Sequence, residues 1–315
     1  MAGALAAAAA PAATPLRERM RTVWLVAVFD FFESIRSRKA LGLLALALLG
    51  SISSTSVFSK VIYEAEKQLA RTLNVAHTEK VGVMADEVFK SDEFQLALAD
   101  FVGDAGLAKD MSRVPPIAFF SGWLGLLFLP LLVILSSSDA ASQEISTGSA
   151  RFALFRSDRL SWALGKLAGQ AMLMASGIFV GALGTLAVAA VVWHQWHPLL
   201  TMAWMARLAV RVWIYGFAWL GVALGISLST RSVNLSRGAG LVALFGLGFL
   251  ARVIHHYESS APVLLGSLEQ LFPHAHSIGL WRPALVDRLP SVAMLLSLGV
   301  GWFAAGYARF ARRDK

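Results

Sequence analysis

Long apolar runs at residues 40–58, 115–138, 167–193, 199–229, 238–254 and 290–309 divide the chain, with polar segments between them. A hydrocarbon core of about 30 Å needs about 20 helical residues at a rise of 1.5 Å each, so every run predicts one transmembrane helix. The run at 199–229 exceeds that length and contains Arg207 and Arg211. A charge at the bilayer centre costs about 2.5–3.5 kcal/mol on insertion scales, and placing the hydrocarbon part at 212–229 moves both arginines to the interface. They lie four residues apart on one helical face. They act either as snorkelling anchors or, with Arg252 near the end of the fifth span, as an outer vestibule that attracts anions. Gly177 and Gly181 on the third span predict a close helix contact. Pro130 predicts a kink in the second. Residues 255–289 hold apolar pieces too short to cross, which predicts outer half-helices and a loop packed against protein.

Two polar regions also have helical period. Residues 17–39 carry an apolar stripe of Trp24, Val28, Phe31, Phe32 and Ile35, with Arg17, Arg19, Arg21, Arg36, Arg38 and Lys39 at the ends. That pattern predicts an amphipathic helix lying in the membrane interface, with an ordinary packed helix as the alternative. Residues 59–114 contain the stretches YEAEKQLARTL and DEFQLALADFV, which predict a helical insert outside the membrane that folds apart from the bundle. The Ala-rich residues 1–16 lack a basic start before their apolar stretch and predict a disordered tail rather than a signal peptide.

Composition agrees with the hydropathy pattern. The 315 residues are 57% hydrophobic and 15% charged, far from the usual balance of a soluble domain, so the expected class is an all-α integral membrane protein. The formal charge of +8 is explained by topology rather than by nucleic acid, since the charges fall in loops and tails. With six spans and both termini cytoplasmic, the inner segments collect sixteen of the 28 Lys/Arg, and seven of the rest sit in the long insert. The insert from Lys60 to Arg113 sets those seven against ten Asp/Glu and is the acidic part of a basic chain. Absence of cysteine rules out disulfides and thiolate metal sites.

The polar segment at 139–166, read with Ser138 as SDAASQEISTGSARFALFRSDRLSWALGK, is predicted to face the cytoplasm. Its spacing Glu144-x-x-x-Gly148-Ser149-x-Arg151, followed by Gly165-Lys166, resembles the coupling segment of type-2 ATP-binding-cassette exporter permeases. The resemblance implies that this segment forms a coupling helix seated in a cleft of a separate ATPase subunit. Glu144, Gly148, Ser149, Arg151, Arg159, Gly165 and Lys166 are the matching positions. Ser157-Asp158 departs from the proline-containing turn often found there. The resemblance further implies an elbow helix at 17–39, paired outer half-helices around LFPHAHSIGLWRPAL, and a basic tail at 310–315. It implies a half-size permease in the bacterial inner membrane, working as two copies with two ATPase chains that bind ATP and Mg. Independently of the resemblance, these charges could simply anchor the inner face.

Other chemistry lacks its residues. A phosphate-binding loop needs Gly-x-x-x-x-Gly-Lys-Ser/Thr, yet Leu160 and Leu167 occupy the positions flanking Gly165-Lys166 where the first glycine and the hydroxyl belong. No Asp or Glu falls in a span core, which disfavours a proton- or sodium-coupled carrier. Neither His-Glu-x-x-His nor Gly-x-Ser-x-Gly occurs, so the chain is expected to be a non-catalytic subunit that binds no cofactor itself. His194 and His197, and His274 and His276, have spacings that could share a metal, though no acidic or thiol partner accompanies them. Export of a substrate is the expected task. A permease that drives an extracytoplasmic partner through the insert, moving nothing across, is the alternative, and a non-transporting scaffold is the third class. The substrate is not legible.

Overall fold

The computed structural model describes residues 16–74, 80–257 and 267–312, with the side chains of 255–257 excepted. The tail at 1–15 and His77 lie outside that description, as do the side chains of His255 and His256. The described chain is helical, with no strand among its residues. It contains six helices long and apolar enough to cross a membrane, which makes this a multi-pass membrane protein.

α1 (Leu16–Arg36) is separated from α2 (Arg38–Thr72) by Ser37, whose extended backbone breaks the helix and whose Oγ accepts the Ala40 N–H at 3.3 Å. Three short helices follow: α3 (Ala85–Lys90), α4 (Asp92–Val102) and α5 (Ala105–Met111). Ser91 and Asp104 cap the second and third of these through their side-chain oxygens. Pro116 opens α6 (Pro116–Ser137), where its missing N–H costs nothing. A hairpin of α7 (Ala140–Thr147) and α8 (Ser149–Leu154) leads to α9 (Arg159–Val192), α10 (Pro198–Ser229) and α11 (Val233–Tyr257). Two 3₁₀ turns at Pro273–His276 and Ile278–Trp281 precede α12 (Leu285–Arg312).

α10 is the most buried span and α12 packs along it in the same direction. Glycine makes that contact possible. Gly221 and Gly225 of α10 face the backbones of Gly299, Trp302 and Gly306 of α12 so closely that a Cβ at Gly221 would fall onto the main chain of Gly299. A second seam runs along α9. Gly165 and Gly169 receive Val26, Ala27 and Asp30 of α1, and Gly184 receives Leu48 and Ser51 of α2. The expected Gly177/Gly181 contact does not form. Gly177 has no neighbour within 4 Å and Gly181 only the Ala47 carbonyl at 3.9 Å. Both instead line an apolar chamber of about 350 Å³ between α2, α6, α9 and α10. The reason is register: one or two turns away on the same helix, Gly169 and Gly184 already hold the neighbouring helices at closest approach.

Helices and core cross three expected boundaries. The helix that carries the first span does not stop at residue 58, since α2 runs 35 residues without a break into the insert. At about 1.5 Å per residue it is about 52 Å long, well beyond the hydrocarbon core. The insert therefore does not fold apart. Ile62, Phe89, Leu107 and Met111 share one core with Ile117 and Phe119 of α6, Ala189 of α9, Met205 and Leu208 of α10, and Trp281. Glu66 on α2, fully buried, accepts the N–H groups of Gly82 (3.2 Å) and Met84 (2.8 Å). Trp193 at the end of α9 donates its indole N–H to Ser59 Oγ at 2.8 Å and packs over Gly82, whose φ of +89° leaves no room for a side chain. Finally, α9 begins at Arg159 within the polar segment expected at 139–166, so Gly165 and Lys166 lie inside that helix.

Gly221→Ala should destabilise the protein by about 1–3 kcal/mol or more, since backbone rather than a movable side chain faces the new methyl. Gly246→Ala, where nothing lies within 4 Å, should be neutral. Thermal unfolding of both variants in one detergent checks the contrast.

Candidate functional site

The α7–α8 hairpin carries an exposed tip on a root set in a buried polar network. Its start is fixed by Ser227 at the end of α10, whose Oγ accepts the N–H groups of Ala141 and Ser142, each at 3.0 Å. Gly148 turns the chain between the two helices with φ of +78°. That left-handed position favours glycine, which explains the residue type there. Ser149 Oγ bonds Thr147 Oγ1 at 3.0 Å and tightens the same turn. Asp158 then caps α9, accepting from the Ser161 N–H at 2.5 Å.

At the tip, Phe152 and Phe155 are 75% and 84% exposed, and Arg151 and Arg156 stand exposed beside them. Two large aromatic rings and two cations on a short hairpin form a surface suited to a protein partner, where aromatic residues and arginine carry most binding energy.

Behind the tip lies an ionic triad. Lys166 is buried on α9, and its ammonium donates to Asp30 of α1 and to Glu144 of α7. The second oxygen of Asp30 accepts from Gln170 Nε2 at 2.8 Å, and Gln170 Oε1 accepts from Ser137 Oγ of α6 at 3.0 Å. Four helices are thus joined through one lysine and one glutamine. A second knot sits alongside. Asp139, between α6 and α7, is 1% exposed and takes Lys39 of α2 (2.5 Å) and Arg237 of α11 (2.6 Å). A polar cavity of about 260 Å³ opens between the two knots.

The candidate coupling residues therefore divide into two groups. Gly148, Ser149 and Arg151 shape or present the hairpin. Glu144 and Lys166 face inward and pair with each other, and Gly165 is the seat of Val26. Arg159 is also satisfied internally, donating to the Ala311 carbonyl at 3.0 Å with its guanidinium 6.0 Å from the Phe310 ring centroid. Sequence reasoning missed Asp30, Gln170, Asp139, Phe152 and Phe155. Asp30 did carry a signal. With Val23, Val26, Ala27 and Ser34 it falls on one face at spacings of three and four, so a lone carboxylate interrupts an otherwise small, apolar stripe. That stripe, not Trp24 and Phe32, is what α1 buries. Trp24 and Phe32 are each 60% exposed.

At the opposite end, Arg207 stacks on Trp204 with its guanidinium 5.4 Å from the ring centroid, and Arg211 lies partly buried one turn further in. Arg252 is exposed on α11 and joins neither of them. His194, His197 and His274 are exposed, and His276 meets the Gln270 carbonyl at 2.8 Å. No group of three or more His, Cys, Asp or Glu able to hold a metal forms among the described residues. In comparisons with known proteins, no protein-family model and no curated sequence matches this chain.

Lys166→Met leaves two carboxylates buried side by side and should cost about 3–5 kcal/mol. The triple variant Asp30→Asn, Glu144→Gln, Lys166→Met removes the charges together and should recover most of that loss. Thermal unfolding distinguishes the two. Equal damage in both would assign the effect to packing rather than to charge.

Proposed function

We propose that this chain is the membrane-spanning permease subunit of an ATP-binding-cassette transporter, of the type-2 exporter kind. ATP and Mg belong to a separate ATPase subunit, and the α7–α8 hairpin is where that subunit docks. The observation that carries the reading is the hairpin itself: an exposed Phe152/Phe155/Arg151/Arg156 tip on a root tied to α1, α2, α9 and α11 by ion pairs centred on buried Lys166 and Asp139. A partner pressing on the tip works against charged groups that have no cheaper place to go, so its movement passes into the spans. The Glu144, Gly148 and Lys166 spacing that resembles the family's coupling segment accounts for that root.

The remaining assignments follow from this one. The hairpin faces the cytoplasm of a bacterial cell, in its inner membrane, together with both termini. α1 is the elbow helix, with Trp24, Leu25, Phe29 and Phe32 exposed towards lipid headgroups while its other face holds α9. Two copies of the chain pair, and the exposed apolar stripe Leu235, Val242, Phe245 and Phe249 of α11 is available for that contact. The task is movement of a substrate outward. A mechanical reading, in which the insert drives an outer partner and nothing crosses, draws on a separate observation: α2 passes without interruption from the membrane into the insert. ATP-dependent uptake into inverted vesicles that carry both subunits separates transport from purely mechanical work.

The double variants Phe152→Ala/Phe155→Ala and Arg151→Glu/Arg156→Glu should each lower recovery of the ATPase complex and its stimulated turnover by about tenfold or more. Membrane insertion and unfolding temperature should stay unchanged, because these side chains touch little within the subunit. Full complex recovery with both variants would remove the hairpin from the docking role.

A further inference from the structure

The chamber of about 350 Å³ between α2, α6, α9 and α10 is lined by apolar side chains, glycine and four hydroxyl residues, and none of its lining residues is charged. Gly50 of α2 and Gly177 of α9 face it with nothing within 4 Å of where a Cβ would stand. An apolar space of this kind stays dry and takes apolar molecules.

It also has a side entrance. α2 and α6 are joined at the insert end, where Phe58 stacks on Phe120 with ring centroids 4.2 Å apart. They are joined again at the hairpin end, where Lys39 reaches the Ser136 carbonyl at 3.3 Å and Asp139. Between the two joins Leu46 and Phe128 both line the chamber, yet they are 53% and 47% exposed. The chamber therefore opens between α2 and α6 towards the surroundings of the bundle.

Two hydroxyls supply an independent observation. Serine within a membrane helix usually bonds back to its own helix, as Ser51, Ser56 and Ser59 of α2 do, each at 2.8 Å. Ser54 of α2 and Ser121 of α6 line the chamber and have no hydrogen-bond partner among the described residues. A hydroxyl at membrane depth without a partner is costly. Both sit towards the insert end, Ser121 beside Phe120 and Ser54 one turn from Phe58.

Length and depth define the occupant. The lining runs from Ser121 to Leu132 on α6, about 16 Å at helical rise. That is about half of a hydrocarbon core of about 30 Å, hence the depth of one leaflet and of the acyl chains that fill it. Ser121 lies about 26 Å along α6 from Ser138, where the hairpin begins, and so near the far edge of that core. Lipid ester groups lie at that edge.

We infer that the chamber is a binding site for one acyl chain of a glycerolipid from the insert-side leaflet, with its ester carbonyl at Ser54 and Ser121. The chain enters between Leu46 and Phe128 and fills the space that Gly50 and Gly177 leave. The two hydroxyls donate to the carbonyl, which carries no charge and needs none opposite. The site requires neither the hairpin nor an ATPase, so it stands apart from the function proposed above.

The full chain is placed in phosphatidylcholine nanodiscs that contain a trace of phosphatidylcholine with a diazirine near the end of one acyl chain. After photolysis, peptide mapping locates the adducts. Leu129 and Val212 line the chamber but are only 5% and 4% exposed, so lipid outside the bundle does not reach them. Both should be labelled. Gly50→Leu/Gly177→Leu should cut that labelling about tenfold, because the new side chains take the same space. Labelling of Phe245 and Phe249 on the exposed face of α11 should not change. The unfolding temperature should not fall, since leucine is the better helix former. Should the pair fail to fold, Gly177→Leu alone reports on the same space. An ether-linked probe, which lacks the carbonyl, should label Leu129 and Val212 about threefold less than the ester, and Ser54→Ala/Ser121→Ala should remove the difference. Adducts confined to exposed residues such as Phe245 and Phe249, or equal labelling of Leu129 in the native and filled proteins, would overturn the site. Labelling seen in discs holding one copy and lost in discs holding two would assign the space to a second copy of the chain, and the lipid site would fall. Equal ester and ether labelling in the native protein would overturn the role of the two serines.

Discussion

A buried lysine between two carboxylates constrains the rest of this molecule. Lys166 cannot be left unpaired at the edge of the hydrocarbon, and neither can Asp30 or Glu144, so the helices that carry them must arrive together. Asp30 brings α1 against α9, and Glu144 brings α7 under the same helix. Gln170, one turn beyond Lys166, uses its two ends to add α6. Since lipid offers no competing hydrogen bonds, such groups fix the register of the helices more firmly than apolar contact could. The glycines read in the same light. Gly165 and Gly169 flank Lys166 by one and three residues, and they let α1 come close enough for its carboxylate to reach the ammonium.

α9 thereby serves as a spine. Its first turns hold α1, a later stretch holds α2 through Gly184 and the Thr55–Thr185 hydroxyl pair at 3.3 Å, and Trp193, the residue after its last turn, locks the insert. α10 and α12 form a second rigid pair on glycine backbone contacts. Between these units lies the apolar chamber lined by Gly177 and Gly181, where small residues leave space instead of filling it. A small-residue motif thus states only that volume is missing. Whether a neighbouring helix or an open space takes that volume depends on register, and the ion pairs set the register.

This accounts for what was legible in the sequence. The six spans were, because hydropathy over about 20 residues reports directly on the solvent each segment meets. The polar segment around Gly148 was also visible as a break between apolar runs, but the left-handed turn that Gly148 makes there was not read from it. Partner identity was not. Glu144 and Lys166 look like surface charges when counted along the chain. They are 22 residues apart, and only the fold reveals that they pair with each other and that Lys166 also takes Asp30, 136 residues away. The insert boundary failed for a related reason. Charge and helical period within 59–114 describe an exposed helix well, yet buried Glu66 sits on the same helix as the first span and binds Gly82 and Met84. Composition averages over the buried residues that join the two parts.

The two longest helices then give the architecture a mechanical consequence. α2 and α9 are 35 and 34 residues long, each about 50 Å, so both outrun the hydrocarbon core. At one end they are tied to the hairpin by Lys39 with Asp139 and by Lys166 with Glu144. At the other they are tied to the insert by Ser59 with Trp193 and by Glu66 with the 82–84 backbone. Bending a continuous helix costs more than tilting it, and neither rod has an internal proline at which to kink. Under the proposed function, a displacement imposed on the hairpin would be delivered to the insert as a tilt of both rods. The same geometry serves either of the proposed tasks. An outward-moving substrate would meet a chamber whose walls change spacing as the rods tilt, and an outer partner would feel the insert swing. What separates the two proposed tasks is whether anything fills the chamber, a property of its lining and not of the hairpin.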